Sequence, residues 1–389
     1  MQDLDVIVVG GGIGGLTTAV ALQRAGHRVR VLDQARELRP VGAGISLWSN
    51  GVKVLDALGL GAEIAAVGGS MERLCYRDHH GKDLCDFSLQ PLVDRVGERP
   101  YPVRRSDLQA LLLAAIAGDG ELGDRVQTGQ RCVAVEDGPD GVVVTTERGD
   151  TFEGDLAVVA DGTHSKLRSY VVGSVPRDYV GYHNFNGVVP DAAALGDPRS
   201  WTVHVGEGKR VSTMPVRDGQ YFFFDVPTPD PVPDGGDGPA ALRRHFAGWD
   251  DRVLGLIEAI DPSGLAHLAI HSHVPHQTFA RGRVVLLGDS AHTTAPDLGQ
   301  GGCLAMEDAL VLANFLTTTS TSVPDALQRY SAERVPRAAR IIERALKRAR
   351  LSHGHDPEAT AAWYAELATE DGAGIIDGIA ASITPGPCR

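Results

Sequence analysis

Long apolar runs are missing from this 389-residue sequence: no stretch of about 18 apolar residues occurs, so no membrane-spanning helix is expected. Cysteine is scarce. The five at Cys75, Cys85, Cys132, Cys303 and Cys388 form no CxxC pair and are odd in number. That speaks against a disulfide framework or a zinc site and points to a reducing cytoplasm. Positive charge is in deficit, with 37 Lys and Arg against 50 Asp and Glu and a net charge of −13. A nucleic-acid duplex repels such a chain. No HExxH and no Cys/His ligand spacing occurs, and the pairs His271/His273 and His353/His355 read as surface or hydrogen-bonded histidines rather than metal ligands. No basic segment precedes the first apolar run, so no signal peptide is expected.

What is present is ordinary for a globular enzyme: 43% hydrophobic and 22% charged residues, on a chain long enough for two domains. The organising stretch comes first. Val6-Ile7-Val8-Val9 reads as a buried strand, and Gly10-x-Gly12-x-x-Gly15 follows at once, opening a helix with Leu16, Val20 and Leu22 as apolar positions. The glycines allow a sharp turn, leave room for a pyrophosphate and let the helix pack close to the strand. The helix N-terminus offers unpaired N–H groups and a positive dipole end to phosphate. A second strand, Val29 to Leu32, ends in Asp33, 18 residues past Gly15, where a carboxylate can bind a ribose hydroxyl. The unit specifies a dinucleotide and leaves NAD(P) and FAD both open.

Further on, Arg39 to Ser46 reads as a small-residue loop that lets a flat ligand approach the backbone, and residues 50–58 as a helix. Strand character at Arg73 to Arg77 begins an excursion into another layer. Ser106 is placed to cap a helix running through Leu113, with Arg105 just before it as a cation able to reach a cofactor phosphate or ribose. Three short strands from Cys132 to Glu153 form a meander, and a buried strand then ends at Asp161-Gly162. Residues 181–275 carry the strands of an antiparallel sheet, a Pro/Gly/Asp-rich loop from Pro227 to Pro239, and a helix over Leu242 to Ile260. A third buried strand ends at Gly288-Asp289, and Pro296 to Gly302 turns into a helix from Cys303 to Leu316. Residues 325–389 read as helices, with the basic positions from Arg337 to Arg350 on a solvated face.

The ordered set Gly10-x-Gly12-x-x-Gly15 with Asp33, Arg105, Asp161-Gly162-x-x-Ser165-x-x-Arg168, and Gly288-Asp289 followed by Pro296 resembles the single-component FAD-dependent aromatic monooxygenases of the para-hydroxybenzoate hydroxylase fold. Within them the chain is most similar to the FAD-dependent urate hydroxylases. The stretches Trp48 to Lys53, Tyr76-Arg77-Asp78, Asn184 to Gly187, Val205 to Ser212, Tyr221 to Pro227, Pro296 to Cys303, His353-Gly354 and Trp363-Tyr364 carry that likeness. Phe185 stands where a larger Trp is expected, and His183 is an unexpected polar neighbour; if either lines the pocket, substrate size or orientation differs.

The resemblance implies an α/β fold: a discontinuous Rossmann-type FAD-binding domain (residues 1–75, 101–178 and 276–325), an inserted β-sheet substrate domain (76–100 and 179–275) and a C-terminal helical segment (326–389). It implies tightly held FAD, with NADH as a transient co-substrate and O2. Cofactor contacts would come from Gly10, Gly12, Gly14, Gly15, Asp33, Gln34, Ser46, Arg105, Cys132, Asp161, Asp289, Gly299, Gln300, Gly301, Gly302 and Cys303. The Gly299–Gly302 turn would present N–H groups to the flavin edge where negative charge develops on reduction. The implied reaction is hydroxylation of urate at C5 to 5-hydroxyisourate, in urate catabolism, through a hydroperoxide at flavin C4a. Arg210 would hold the urate anion, Asn184 would pair with an amide-like ring edge, Tyr221 would orient Arg210 or the ring, and Asp297 would join a proton-transfer network. No metal, nucleic acid or membrane partner is expected, and the chain would act as a monomer or homodimer. A phenolic-acid hydroxylase on the same scaffold, and an FAD-binding NAD(P)H oxidase or reductase, are the alternative readings.

Overall fold

The computed structural model describes every residue except 1–2, 39–42, 119, 191–196, 233–237, 319–321, 385 and 388–389. The start of the expected loop at Arg39, part of the loop before Pro239, and Cys388 therefore lie outside the described residues. The four described cysteines are free and buried. Among the described residues no helix is long and apolar enough to cross a membrane.

Val6 to Val9 are all buried, as befits a strand covered on both faces. The strand Asp5–Val9 pairs in parallel with Arg28–Leu32 on one side and Leu156–Val159 on the other. The six-stranded sheet runs in the order Ala280–Arg281, Val284–Leu286, Leu156–Val159, Asp5–Val9, Arg28–Leu32, Val126–Gln127. All three expected buried strands thus lie side by side at its centre, and their C-terminal ends, Gly10, Asp161 and Gly288-Asp289, share one edge. Two glycines of the first turn are steric necessities. Gly10 has φ of +111°, and a Cβ there would lie 2.2 Å from the Ala160 carbonyl oxygen; a Cβ on Gly15 would lie 1.9 Å from the Gly10 oxygen.

The inserted layer is a seven-stranded sheet ordered Ala266–Ser272, Asp178–Val189, Gly219–Pro227, Lys209–Val216, Ser200–Gly206, Arg73–Asp78, Asp83–Ser88. Its strand Arg73–Asp78 runs parallel to Ser200–Gly206, so the expected boundary after residue 75 falls inside a strand. The meander forms as expected from Cys132–Asp137, Val142–Thr146 and Thr151–Gly154.

Three local expectations need correction. The helix expected over Leu242 to Ile260 is two helices, Gly238–His245 and Asp251–Glu258, because Gly248 takes a left-handed φ of +79° and Asp250 caps the second by accepting from the Arg252 amide. Phe246, Trp249, Val253 and Ile257 still pack together beneath Phe222 and Phe224. Ser106 caps nothing: the strand Tyr101–Arg104 runs directly into a helix beginning at Arg105, whose N-cap position Arg104 fills without a side-chain cap.

The third correction concerns the C-terminal helices. Val323–Ser352 is a single 30-residue helix capped by Ser322. Arg337 does not lie on a solvated face but is buried, as is Arg334. Both turn inward to the helix Gly301–Thr318. Arg334 donates to Asp308 (2.6 Å) and Glu307 (2.8 Å), and Arg337 donates to Glu307 (2.9 Å). Glu307 also accepts from Asn50 (2.7 Å), and Asp308 from the Gly288 amide (3.0 Å) and from His292 (2.6 Å). Burial opposes the charge on Asp308, but His292 and Arg334 overcome it and hold the carboxyl down at about 2.

A carboxyl depressed from its ordinary 3.8 stabilises the fold fully above that pH and loses its contribution as pH falls towards about 2. Urea unfolding followed from pH 7 downward should show the midpoint dropping below about pH 4. Asp308→Asn should be less stable at neutral pH and show a shallower acid decline; parallel curves for the two proteins would contradict the assignment.

Candidate functional site

One end of the site is the glycine turn. The helix Ile13–Arg24 starts at Gly12, which has no side-chain cap, and among the described residues nothing beyond the turn's own backbone lies within 4 Å of where a Gly12 Cβ would stand. The positive helix end therefore faces open space. Gly14 and Gly288 both abut the Ala305 methyl group, each at 3.1 Å from a notional Cβ, which lets the helix Gly301–Thr318 close over the turn. Asp33 accepts from the amides of Gly11 (2.6 Å) and Ala35 (2.8 Å), which fixes its carboxylate at the rim, with Gln34 exposed beside it. Cys132 is buried within the field of Asp161 and Asp33; burial and those charges push its thiol up to about 12, so it stays neutral.

At the next strand end, burial raises the Asp161 carboxyl above its ordinary value, and its Oδ1 has no hydrogen-bond partner. An orphaned buried acceptor beside an uncapped helix end and an unfilled glycine cradle fits a dinucleotide carrying hydroxyls and phosphates. Arg168 is the clamp of this region. It donates to the carbonyls of Gly162 and Thr163 (3.1 Å each), Asp289 (3.2 Å) and Ser290 (2.6 Å), tying the second turn to the third.

The other end is a cavity of about 800 Å³ between the two sheets and the C-terminal helices. Its wall brings together Ser46, Arg105, Asn184, Arg210, Tyr221, Asp289, Asp297 and the whole Gly299–Gly302 turn. Cys303 is not part of that wall; its buried sulfur accepts from the Trp48 amide (3.4 Å) and packs the helix Ser49–Ala57 against Gly301–Thr318. Gln300 is buried and accepts from Asn50 (2.9 Å). The first residues of the helix Gly301–Thr318 bring amide groups without intrahelical partners to the cavity. Arg105 donates to the Gly44 carbonyl (3.1 Å). Tyr221 lies flat against Gly44, where a Cβ would come within 2.5 Å of its ring. Burial pushes its hydroxyl up to about 12, against the opposing charge of Arg105, so Tyr221 keeps its proton.

Strand register builds the charged centre. Asp225 stands opposite Asn184 on one neighbour and opposite Arg210 on the other, so the three side chains form a row across the sheet. Asn184 donates to Asp225 (2.7 Å) and accepts from Asn186 (2.8 Å). Arg210 donates through Nε to Asp225 (2.7 Å), and its Nη2 also pairs with Asp225 (2.7 Å) and with Asp297 (3.3 Å). Its guanidinium carbon lies 5.1 Å from the centre of the Phe223 ring. Asp297 further accepts from Tyr182 (2.6 Å) and meets His353 Nε2 at 3.0 Å. Burial opposes its charge, yet Arg210 and His353 hold the carboxyl well below the usual range. Three donors thus hold the ionised carboxylate in place beside Arg210.

Asp225, Tyr182, Asn186 and His353 join this cluster, and the sequence reading assigns none of them a site role. Asp225 lies inside the quoted run Tyr221 to Pro227, and its signal is a register relation visible only once strands are paired. His353 is the hydrogen-bonded histidine that the sequence suggests, and its partner is Asp297. Phe185 and His183 point to the face opposite Asn184: Phe185 stacks on His267 at 3.9 Å and joins the core with Phe222 and Phe246, and His183 lies 2.9 Å from the same His267. Neither lines the cavity, so the departure at Phe185 alters the back of the sheet.

The FAD binding domain family matches residues 3–345. The FAD-dependent urate hydroxylase of Klebsiella oxytoca is 46% identical over 388 residues, covering 99% of this chain and 100% of that one. That of Mycolicibacterium vanbaalenii is 44% identical over 390 residues, covering 99% and 98%. The crystal structure of Klebsiella pneumoniae HpxO complexed with FAD and uric acid aligns with a TM-score of 0.94 at 43% identity, covering 99% of this chain and 98% of that one.

The two glycines separate cofactor binding from folding. Gly12→Val fills only the open cradle, so the protein should fold with near-normal stability but lose flavin at least tenfold in affinity, about 1.4 kcal/mol or more. Gly15→Ala drives a methyl into the Gly10 carbonyl and should destabilise the chain even without cofactor. Flavin absorbance of the purified proteins and thermal unfolding of the flavin-free forms check both; a flavin-replete Gly12→Val protein would refute the cradle.

Proposed function

We propose that this chain, which belongs to the family of FAD-dependent urate hydroxylases, hydroxylates urate at C5 to 5-hydroxyisourate, with NADH and O2 as co-substrates. The observation that carries this reading is Arg210, buried and held in one pose by two carboxylates, in the same cavity wall as the Gly299–Gly302 turn. FAD, when bound, supplies the electron transfer and oxygen activation that hydroxylation requires. The glycine turn and Asp33 would hold its adenosine and phosphates, Asp289 its ribityl chain, and the amides at Gly299 to Gly302 its pyrimidine edge.

The protein's own part is positioning. Nε and Nη2 of Arg210 are spent on Asp225 and Asp297, which leaves the two Nη1 N–H groups for a ligand. Asp225 and Asp297 hold the guanidinium in one pose, so it acts as a fixed pair of donors for a planar ligand. Asn184 has one N–H and one carbonyl lone pair to spare, which suits a ring edge of alternating N–H and C=O groups. Tyr221 offers a protonated hydroxyl from the neighbouring strand. Trp48, Trp201, Met214 and Phe223 complete the wall with apolar surface that displaces water from the reacting face.

Purified protein should show NADH oxidation stimulated by urate, with oxygen uptake and loss of urate absorbance in step. Arg210→Gln should keep its flavin but lose urate-stimulated turnover by about 100-fold, roughly 2.7 kcal/mol. Stimulation by salicylate or hydroxybenzoate in place of urate would reverse the substrate assignment. NADH oxidation without a hydroxylated product would make the protein an oxidase.

A further inference from the structure

The cavity does not stop at Arg210. Its wall continues outward along the helix Val323–Ser352, where Arg344, Lys347 and Arg348 all face it. Their spacing of three and four residues puts them on one side of the helix. That helix ends beside the charged centre, because His353, immediately after it, touches Asp297. At about 1.5 Å rise per residue, Arg348 stands roughly 8 Å and Arg344 roughly 14 Å out from His353 along the axis. The three cations thus form a row leading from solvent towards Arg210.

None of the three has a carboxylate partner within ion-pair distance among the described residues. Arg344 donates to the Gly378 carbonyl (2.9 Å). Arg348 lies 4.2 Å over the Trp363 ring and reaches the Tyr76 hydroxyl (3.4 Å). Lys347 is exposed. Glu366 and Glu370 line the same cavity from elsewhere in the C-terminal segment, neither within ion-pair distance of the three cations, and Glu370 accepts through Oε1 from the amides of Gly372 (3.0 Å) and Gly374 (3.1 Å). In a chain of net charge −13, an unpaired cationic row inside a cavity is a local attractor for an anion in a repelling surround. Trp363 and the guanidinium over it add a flat, polarisable surface at the same place.

We propose that Arg344, Lys347 and Arg348 form a capture subsite for the substrate, a planar heteroaromatic monoanion, which they collect at the cavity mouth and pass inward to Arg210. This rests on the reading of the protein as a urate hydroxylase. The subsite raises the rate of productive encounter and takes no part in the chemistry. Its loss therefore falls on kcat/KM, and salt abolishes its advantage.

The test compares wild type with Lys347→Glu and with Arg344→Gln/Lys347→Glu, all as FAD-loaded enzymes, in urate-dependent NADH oxidation at low and at about 0.5 M salt. Expected is a fall of about tenfold in kcat/KM for urate at low salt in the double variant. A smaller fall is expected in Lys347→Glu, with kcat within about twofold, KM for NADH unchanged, and the difference from wild type closing at high salt. Unchanged kcat/KM for urate would overturn the proposal, as would a loss that salt does not diminish. A rise confined to the KM for NADH would overturn it by assigning the row to the dinucleotide phosphates. Wild-type enzyme that urate does not stimulate would overturn the function and the subsite together; active wild type with indifferent variants would overturn the subsite alone.

Discussion

A buried guanidinium must be paired, and that requirement ties this molecule together. Arg210 sits on the middle of the seven-stranded sheet with Asp225 beside it, but its other carboxylate, Asp297, comes from the turn that follows the nucleotide-binding sheet. Asp297 in turn is held by Tyr182 from the sheet and by His353 from the end of the long helix. Leaving any of these charges unpaired in the interior costs several kcal/mol. Sheet, turn and helix must therefore close on one another for the cluster to be tolerated, and the geometry of the cavity wall becomes a condition of folding. Asp297 also lies two residues before Gly299. One short segment pairs with Arg210 at one end and brings its amides to the cavity wall at the other, which fixes the distance between the two.

A second buried cluster lies farther along the same helix pair. Glu307 and Asp308 gather Arg334, Arg337, Asn50, His292 and the Gly288 amide, and Asn50 passes the constraint on to Gln300. The turn at 296–302 is thus braced from both sides. The helix Val323–Ser352 serves both braces, giving Arg334 and Arg337 to one and leading into His353 for the other. A helix outside both sheets in sequence order is the strut on which the site depends.

Sequence reasoning reached the parts of this design whose cause is local. The glycine turn, the three buried strands each ending in an acid or glycine, and the β-meander follow from short-range sterics and periodicity, and the structure has them. Resemblance extended the reading to residues such as Arg210 and Gly299, which the cavity brings together. What stayed hidden is relational. Alternation along Asp178–Val189 shows that Phe185 and Asn184 face opposite ways, but which face meets the cavity depends on strands 40 residues away. Arg337 carries the same local signal as any solvated helix arginine; Glu307, 30 positions earlier, and the Ile383 carbonyl make it a core residue. The break at Gly248 was missed because apolar spacing continues across it.

Three groups at the cavity share a property that bears on selectivity: their protonation is fixed by their surroundings. Tyr221 keeps its proton, Asp297 stays ionised, and Arg210 is permanently charged. The site therefore discriminates by complementarity of fixed donors and acceptors. A phenolic acid can satisfy Arg210 with its carboxylate, but its single hydroxyl offers one oxygen where Asn184 presents an N–H and a lone pair side by side; a pose that leaves either unmet costs about 1–3 kcal/mol. Urate, on the proposed reading, offers an N–H and a C=O at adjoining positions of one ring edge and satisfies both. Sites built to hydrogen-bond a ligand reject an analogue lacking the partner groups far more strongly than apolar pockets reject a change of size. The Asp225 bridge, which spends one face of Arg210 and one amide hydrogen of Asn184 in the same stroke, is what sets the pattern that remains.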